Sequence, residues 1–263
     1  MIDWIEANEA VFRYELSGRG TETVVLIHEL GGTLESWDRV ISELQDHFQI
    51  LRYDQRGFGL SEKTRGTISL DTVLSDLSGL ISALEINRPF NMVGASLGGG
   101  IALAFASRYA EQVCRLVSCN PAVGIRPERR SYIMQRADTI EAEGMRSFVE
   151  QTFNNSYPER FRGDKEQFDR YRRRWLANDP LGFAAINRML FDMELTEDFG
   201  RITCPTLVMA GLHDELLPPA VIKLIAESIP GAQYVEVNSG HFIAVQTPEE
   251  MLEHVLPFLL SDK

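Results

Sequence analysis

The chain has 263 residues, a formal net charge of −12 at pH 7 and 44% hydrophobic residues. A chain of this length and composition can bury a sizeable core, either as one large α/β domain or as two small ones. Its acidic balance argues against nucleic acid and anionic membranes as partners, because both bind basic protein surfaces.

The start of the chain and its cysteines indicate where the protein works. Residues 1–6 are acidic and lack the basic segment with which a signal peptide begins. The sequence has no run of about 18 apolar residues that would predict a transmembrane helix. Cys114, Cys119 and Cys204 are odd in number and lack metal-site spacing, which favours reduced core residues. We therefore expect a cytoplasmic protein without a bound metal.

Seven segments have the residue pattern of β-strands. The first, residues 9–16, alternates as an exposed antiparallel strand does. The other six are apolar throughout, which is typical of parallel strands covered by helices on both faces. These six are predicted at 24–27, 49–53, 90–93, 113–118, 206–210 and 234–237.

Helical patterns alternate with these strands. Apolar residues recur at i, i+3 and i+4 spacing in five segments, which is the period of an amphipathic helix. The five are 36–44, 70–84, 97–109, 219–229 and 248–260. Strand and helix in alternation predict an α/β fold with a mostly parallel, doubly wound sheet.

One long segment interrupts this alternation. Residues 121–200 contain no convincing strand, whereas helical patterns recur at 127–143, 145–153, 163–176 and 179–193. Open α/β sheets bind ligands at the carboxyl ends of their strands, and an insertion after the strand ending near residue 119 lies at that edge. We therefore predict a core of residues 1–120 and 201–263 and a helical lid, or cap, of residues 121–200.

A candidate nucleophile lies between the strand at 90–93 and the helix at 97–109. The motif Gly-x-Ser-x-Gly, Gly94 to Gly98, allows a turn tight enough to present the hydroxyl of Ser96 at its tip. A Cβ at either glycine would collide with the opposite arm of the turn. The strand before and the helix after are the context that this motif requires, so we assign Ser96 as a nucleophile.

A serine nucleophile needs a base and an acid that orients the base. Of the five histidines, His241 is the best candidate because it lies in the loop after the last predicted strand. Asp214 follows the strand at 206–210, and the order Ser96, Asp214, His241 is the one expected for this strand–turn–helix motif. His47 and His254 lie in or at helices and are interpreted as structural, and His213 and Glu215 as neighbours that point elsewhere.

Two backbone amides are predicted to stabilise a developing oxyanion. One belongs to Leu97, directly after the nucleophile. The other belongs to Leu30, in the loop His28-Glu29-Leu30-Gly31-Gly32 that follows the strand at 24–27. His28 is interpreted as shaping this loop rather than acting as a second base.

Taken together, these pieces resemble the α/β-hydrolase-fold serine hydrolases over nearly the whole chain. The similarity is to small bacterial esterases and to lactonases of the 3-oxoadipate enol-lactonase kind, and more weakly to carbon–carbon bond hydrolases. The resemblance implies hydrolysis of a small ester or lactone through an acyl-enzyme on Ser96, without a cofactor; the oligomeric state stays open. The matching pieces are the Ser96 turn, the loop at 28–32, the segment 54–61, Gly211 with Asp214, and Gly240 to Phe242.

Two other functions fit the same residues. Amide or carbon–carbon bond hydrolysis uses the same catalytic groups, and a ligand receptor can retain a hydrolase site. Steady-state turnover of a chromogenic ester separates a hydrolase from a receptor.

Substrate contacts are less well determined by the sequence. Trp175 and Phe183 in the predicted lid are candidates for contact with the acyl group. Glu29 occupies a place where the resembling family commonly has glycine. A Glu29 that turned inward would repel acidic substrates or accept a substrate hydrogen bond, and Arg126 or Arg188 could offset its charge; alternatively, Glu29 faces solvent.

Overall fold

The computed structural model describes residues 1–261 and contains one eight-stranded sheet. In chain order the strands are β1 (Ile2–Ala7), β2 (Ala10–Ser17), β3 (Thr23–Ile27), β4 (Gln49–Tyr53), β5 (Phe90–Ala95), β6 (Val113–Cys119), β7 (Thr206–Gly211) and β8 (Gln233–Val237). Their order across the sheet is β1-β2-β4-β3-β5-β6-β7-β8. β1 and β2 form an antiparallel hairpin whose second strand pairs antiparallel with β4, and all other pairs are parallel. The predicted mostly parallel sheet is confirmed.

Helices cover both faces of this sheet. They are α1 (Ile41–Gln45), α2 (Leu70–Ala83), α3 (Leu97–Arg108), α4 (Arg130–Glu143), α5 (Val149–Ser156), α6 (Lys165–Leu176), α7 (Pro180–Asp192), α8 (Pro219–Glu227), α9 (Ile243–Gln246) and α10 (Pro248–Leu260). Side chains alternate along β3, so that Val25 packs in the cluster that contains α2 and α3, whereas Val24 packs in the cluster that contains α1 and α10. No helix within residues 1–261 combines the length and apolar character needed to cross a membrane.

Two local elements differ from the sequence prediction. β1 was missed because it buries only Ala7 and so lacks a strong apolar pattern. The helix predicted over 36–44 is a 3₁₀ turn at Leu34–Trp37 followed by the short α1. The amides of Asp38 and Val40 bond to the carbonyls of Glu35 and Trp37, three residues back, rather than to carbonyls four residues back as in an α-helix. The continuous α-helical ladder is therefore replaced by a tighter turn.

Residues 120–205, between β6 and β7, are called the helical segment below. They contain α4 to α7 and several 3₁₀ turns, at positions close to the predicted ones. Phe153, Trp175 and Phe183 from this segment belong to the same buried apolar cluster as Leu97 and Ile101 of α3. The helical segment is thus packed onto the sheet at the end where β5 turns into α3.

Candidate active site

The turn between β5 and α3 holds Ser96 in a strained backbone conformation. Its φ and ψ angles are 52° and −113°, a region that residues with a Cβ rarely occupy. A Cβ on Gly94 would lie 2.2 Å from the Gly98 carbonyl oxygen, and a Cβ on Gly98 would lie 2.0 Å from the carbonyl oxygen of Ile27. Both glycines are therefore required sterically, and they leave the Ser96 side chain at the carboxyl end of the sheet.

Three side chains form a continuous hydrogen-bonded chain at this edge. The Nε2 atom of His241 lies 2.8 Å from Ser96 Oγ, and its Nδ1 atom lies 2.6 Å from Asp214 Oδ2. All three side chains are buried. The other carboxylate oxygen of Asp214 accepts hydrogen bonds from the amides of Leu216 and Leu217 at 2.9 and 3.0 Å. Both carboxylate oxygens of Asp214 are thus fixed, one by two amides of its own loop and the other by the imidazole.

Asn120 joins the loops that carry these groups, and the sequence reasoning missed it. Its side-chain amide donates to the carbonyl oxygens of Gly240 and His241 at 3.2 and 2.9 Å. Its oxygen accepts from the amide of Gly211 at 2.9 Å, and the residue is fully buried with φ of 44°. Asn120 therefore ties the end of β7 to the loop after β8. The available signal was its position directly after a buried strand.

Strand register brings the loop at 28–32 beside Ser96. Ile27 pairs with Gly94 in the parallel β3–β5 ladder, so the loop leaves the sheet next to the Ser96 turn. His28 of this loop contacts Gln55, which follows β4. The backbone amide of Gln55 can only donate, and it donates to His28 Nε2 at 3.0 Å. The Nδ1 atom of His28 then carries the proton and donates to the carbonyl of Glu29 at 2.8 Å. His28 therefore anchors the loop to the end of β4.

A largely apolar cavity opens at Ser96 and His241. Its empty volume is about 810 Å³, open solvent at its mouth included. The two residues predicted to supply oxyanion amides, Leu30 and Leu97, line it beside Ser96. From the helical segment, the lining residues include Arg126, Arg129, Ile133, Arg136, Thr152, Trp175, Phe183 and Leu190. Arg129 and Arg136 were not among the sequence candidates.

Two of the substrate-contact candidates lie elsewhere. Arg188 pairs with Asp138 at 2.7 Å and with Glu141, and it lies on the far side of α7 from the cavity at Ser96. Glu29 does not face solvent, since only 2% of its surface is exposed, and it does not line the cavity. Its Oε1 accepts hydrogen bonds from Ser36 Oγ at 2.8 Å and from the hydroxyl of Tyr171 at 2.6 Å. These two donors turn the carboxylate away from the cavity. Arg126 does line the cavity, but it is exposed and pairs with Glu128.

Glu29 therefore links the loop at 28–32 to the helical segment. Burial, together with the adjacent Glu29 carboxylate, raises the pKa of Tyr171 well above its ordinary value, so the phenol stays a hydrogen-bond donor. Asn178 adds a second link, donating to the carbonyl of Gly31 at 2.7 Å. Hydrogen bonds from Tyr171 and Asn178 of the helical segment thus fix the loop that carries Leu30.

Removing the Tyr171 hydroxyl should destabilise the protein. In Tyr171→Phe the buried Glu29 carboxylate loses one of its two side-chain donors, so the free energy of unfolding should fall by about 1–3 kcal/mol in urea denaturation. The control is Tyr157→Phe, because Tyr157 is a buried neighbour whose hydroxyl makes no hydrogen bond within residues 1–261. Equal losses in the two variants would contradict this assignment.

The mostly parallel sheet and the strand–turn–helix at Ser96 define the α/β-hydrolase class. The chain belongs to the hydrolase family described as serine aminopeptidase, S33, whose model matches residues 19–238.

Solved structures and sequence relatives agree with this membership. An enol-lactonase from Burkholderia xenovorans LB400 is similar with a TM-score of 0.92 and 28% identity, covering 98% of this chain and 100% of that one. A thermophilic esterase from Thermogutta terrifontis has a TM-score of 0.91 and 26% identity, covering 98% of each chain. A Pantoea ananatis protein named as a carbamate hydrolase, RutD, is 28% identical over 90% of this chain and 88% of its own length. The α/β-hydrolase fold expected from the sequence is thereby confirmed.

Proposed function

We propose that this protein is a serine hydrolase that cleaves small carboxylic esters or lactones through an acyl-enzyme on Ser96. The observation that carries the proposal is the pair of hydrogen bonds at His241, 2.8 Å to Ser96 Oγ and 2.6 Å to Asp214 Oδ2, at the wall of an apolar cavity. A serine hydroxyl becomes a competent nucleophile when a base within hydrogen-bond reach takes its proton.

In the first half of the reaction, Ser96 Oγ attacks the carbonyl carbon while His241 Nε2 accepts its proton. Asp214 holds the Nδ1 proton and stabilises the imidazolium that forms. The imidazolium then gives the proton to the leaving alkoxide, which departs from an ester or stays tethered in a lactone. In the second half, His241 takes a proton from water as the water oxygen attacks the acyl carbon. The bond between the acyl carbon and Ser96 Oγ then breaks, Oγ takes the proton back from the imidazolium, and the carboxylic acid leaves.

The oxyanion of each tetrahedral intermediate is assigned to the backbone amides of Leu97 and Leu30. Leu97 begins α3, where helix amides have no carbonyl partner within the helix. Leu30 follows β3 and lies in the loop fixed by His28, Tyr171 and Asn178. A pre-positioned donor of this kind typically contributes about 10²- to 10³-fold in kcat.

The helical segment acts as the lid in this proposal. Trp175 and Phe183 lie in the cavity wall and are buried, and together with Ile133 and Leu190 they offer an apolar surface to the acyl or alcohol group. Apolar walls with few polar groups suit small organic substrates. Relatives named as an enol-lactonase and as an esterase support the choice of ester or lactone.

The test combines turnover with labelling of the nucleophile. The wild-type protein should hydrolyse p-nitrophenyl acetate and butyrate with steady-state turnover. A fluorophosphonate should modify Ser96, and mass spectrometry should show one phosphonyl group per protein. Aryl lactones, anilides and a carbamate ester complete the panel, and their kcat/KM values rank the types of bond that the protein cleaves. Labelling without steady-state turnover of any member would instead support a ligand receptor built on this fold.

A further inference from the structure

Arg136 is the most deeply buried of the arginines that line the cavity within residues 1–261. It projects from α4, is 6% exposed and lines the cavity that contains Ser96. Its Nε donates to Asn187 Oδ1 at 3.1 Å, and its Nη2 bonds the same oxygen. The guanidinium lies 5.9 Å from the centre of the Phe183 ring. Within residues 1–261, its partners are therefore one neutral amide oxygen and one aromatic face.

Within residues 1–261, two of the other three buried arginines are neutralised by acids, and the third, Arg115, lies outside this cavity and donates to the backbone carbonyl of Ser261. Arg13 pairs with Glu35 and Asp54, and Arg52 with Glu15 and Asp38. Within residues 1–261, no carboxylate lies within 4 Å of the Arg136 guanidinium. Scarcity of acids does not explain this, because the chain has 38 acidic and 26 basic residues. A buried charge that lacks a counter-ion is rare unless a bound group supplies one.

The surroundings of Arg136 make its charge costly in the empty cavity. Burial lowers the pKa of its guanidinium to about 10, and the neighbouring Arg129 acts in the same direction. Arg129 lines the same cavity, and its Nη1 donates to the Leu216 carbonyl at 3.4 Å. An anion entering the cavity would therefore meet the guanidinium groups of Arg136 and Arg129, and no acidic residue within residues 1–261 lines the cavity.

The apolar walls of the cavity limit what that anion can be. Ile133, Phe183 and Leu190 line the same cavity as Arg136 and offer no hydrogen bonds from their side chains. An inorganic ion held by the guanidinium groups would lose water, without replacement, on the side that faces this apolar wall. A carboxylate at the end of an apolar spacer fits both features, because the spacer covers the apolar wall and the planar carboxylate matches the guanidinium fork.

We propose that Arg136 binds a carboxylate of the substrate, so that the preferred substrates are esters or lactones with a free carboxylate remote from the scissile bond. This assignment rests on the proposed hydrolase function of the same cavity. It replaces the expectation that Glu29 turns anionic substrates away, because the Glu29 carboxylate is held by Ser36 and Tyr171 outside the cavity.

The test compares matched anionic and neutral substrates. On the acyl side, p-nitrophenyl hydrogen glutarate is compared with p-nitrophenyl 5-methylhexanoate, in which an isopropyl group replaces the carboxylate; succinate, adipate and pimelate half-esters vary the spacer. On the alcohol side, 4-carboxyphenyl butyrate is compared with 4-isopropylphenyl butyrate. The anionic member of at least one pair should have the higher kcat/KM.

Arg136→Met should lower that anionic-to-neutral ratio of kcat/KM by about 10- to 100-fold, the usual range for a hydrogen bond to a charged group. Arg188→Met is the matched control, because it removes the same charge from the helical segment at a residue paired with Asp138 and Glu141. It should leave the ratio unchanged. If Arg136→Met does not fold, Arg136→Lys keeps the charge without the fork and should lower the ratio by about 3- to 10-fold.

A binding measurement separates this assignment from the proposed hydrolase function. Millimolar glutarate should raise the melting temperature of the wild-type protein by about 2 °C or more and should not do so for Arg136→Met. A glutarate shift without any ester turnover would overturn the hydrolase function and keep the anion site. Ester turnover with ratios that are equal in wild type and Arg136→Met, and with no glutarate shift, would overturn the anion site alone.

Discussion

Replacing Ser96 with alanine is expected to lower kcat/KM for any hydrolysed ester by about 10⁴-fold or more. The hydroxyl oxygen is the atom that bonds to the substrate, and within residues 1–261 His241 Nε2 has no other side-chain partner that could take its place. The turn itself should survive, because alanine keeps the Cβ that already occupies this backbone conformation at φ of 52°. Loss of activity should therefore come without loss of fold.

Ser118→Ala is the control for this substitution. Ser118 is a fully buried serine near the carboxyl end of β6, and its hydroxyl has no hydrogen-bond partner within residues 1–261. Circular dichroism and melting temperature check folding of both variants, and the initial rate with p-nitrophenyl butyrate measures activity. A Ser96→Ala protein that kept more than a tenth of the wild-type rate would overturn the acyl-enzyme mechanism.

Asp214→Asn should reduce kcat by about 10⁴-fold while Glu215→Gln changes it little. The structure gives the reason atom by atom. The amides of Leu216 and Leu217 already donate to Asp214 Oδ1, so an asparagine would keep its oxygen there and direct its NH₂ group at His241 Nδ1. The imidazole proton would then sit on Nε2, which could no longer accept a proton from Ser96.

Glu215 is a strict positional control because it is adjacent in sequence and exposed. Its amide variant changes the net charge by the same amount without touching His241. Rates for both variants should be measured with one neutral ester, so that changes in substrate attraction do not enter. If Glu215→Gln lost activity and Asp214→Asn kept it, the acid that orients His241 would be Glu215 rather than Asp214.

Much of the fold could be predicted from local patterns because burial on both faces of a parallel strand requires a continuous apolar run. That rule located β3 to β7 within a residue or two and predicted the helices between them. It failed for β1, which is a largely exposed edge strand. It also failed for the helix at 36–44, where the amide of Val40 bonds to the Trp37 carbonyl rather than to the Ser36 carbonyl that an α-helix would have used.

Some residues of the candidate site could likewise be predicted from the sequence, and others could not. Ser96, Asp214 and His241 could be proposed from the sequence because each occupies a place that chain connectivity dictates, directly after a strand whose carboxyl end faces the same edge. Asn120, which ties two of those loops together, had only that position to suggest it, because its hydrogen bonds join residues about 90 to 120 positions away.

The sequence by itself determined the fold class, the order of the three polar residues and the presence of a helical insertion, because these follow from periodicity and turn chemistry along the chain. The tertiary structure alone decided which charges meet the cavity. Glu29, next to the proposed oxyanion donor, is turned out of the cavity by Ser36 and Tyr171, and Tyr171 lies 142 positions away. Arg136, one of many charged residues on an unremarkable helical pattern, is buried in the cavity wall with a neutral partner. Burial and the choice of counter-ion depend on contacts between distant segments, and no local pattern encodes them.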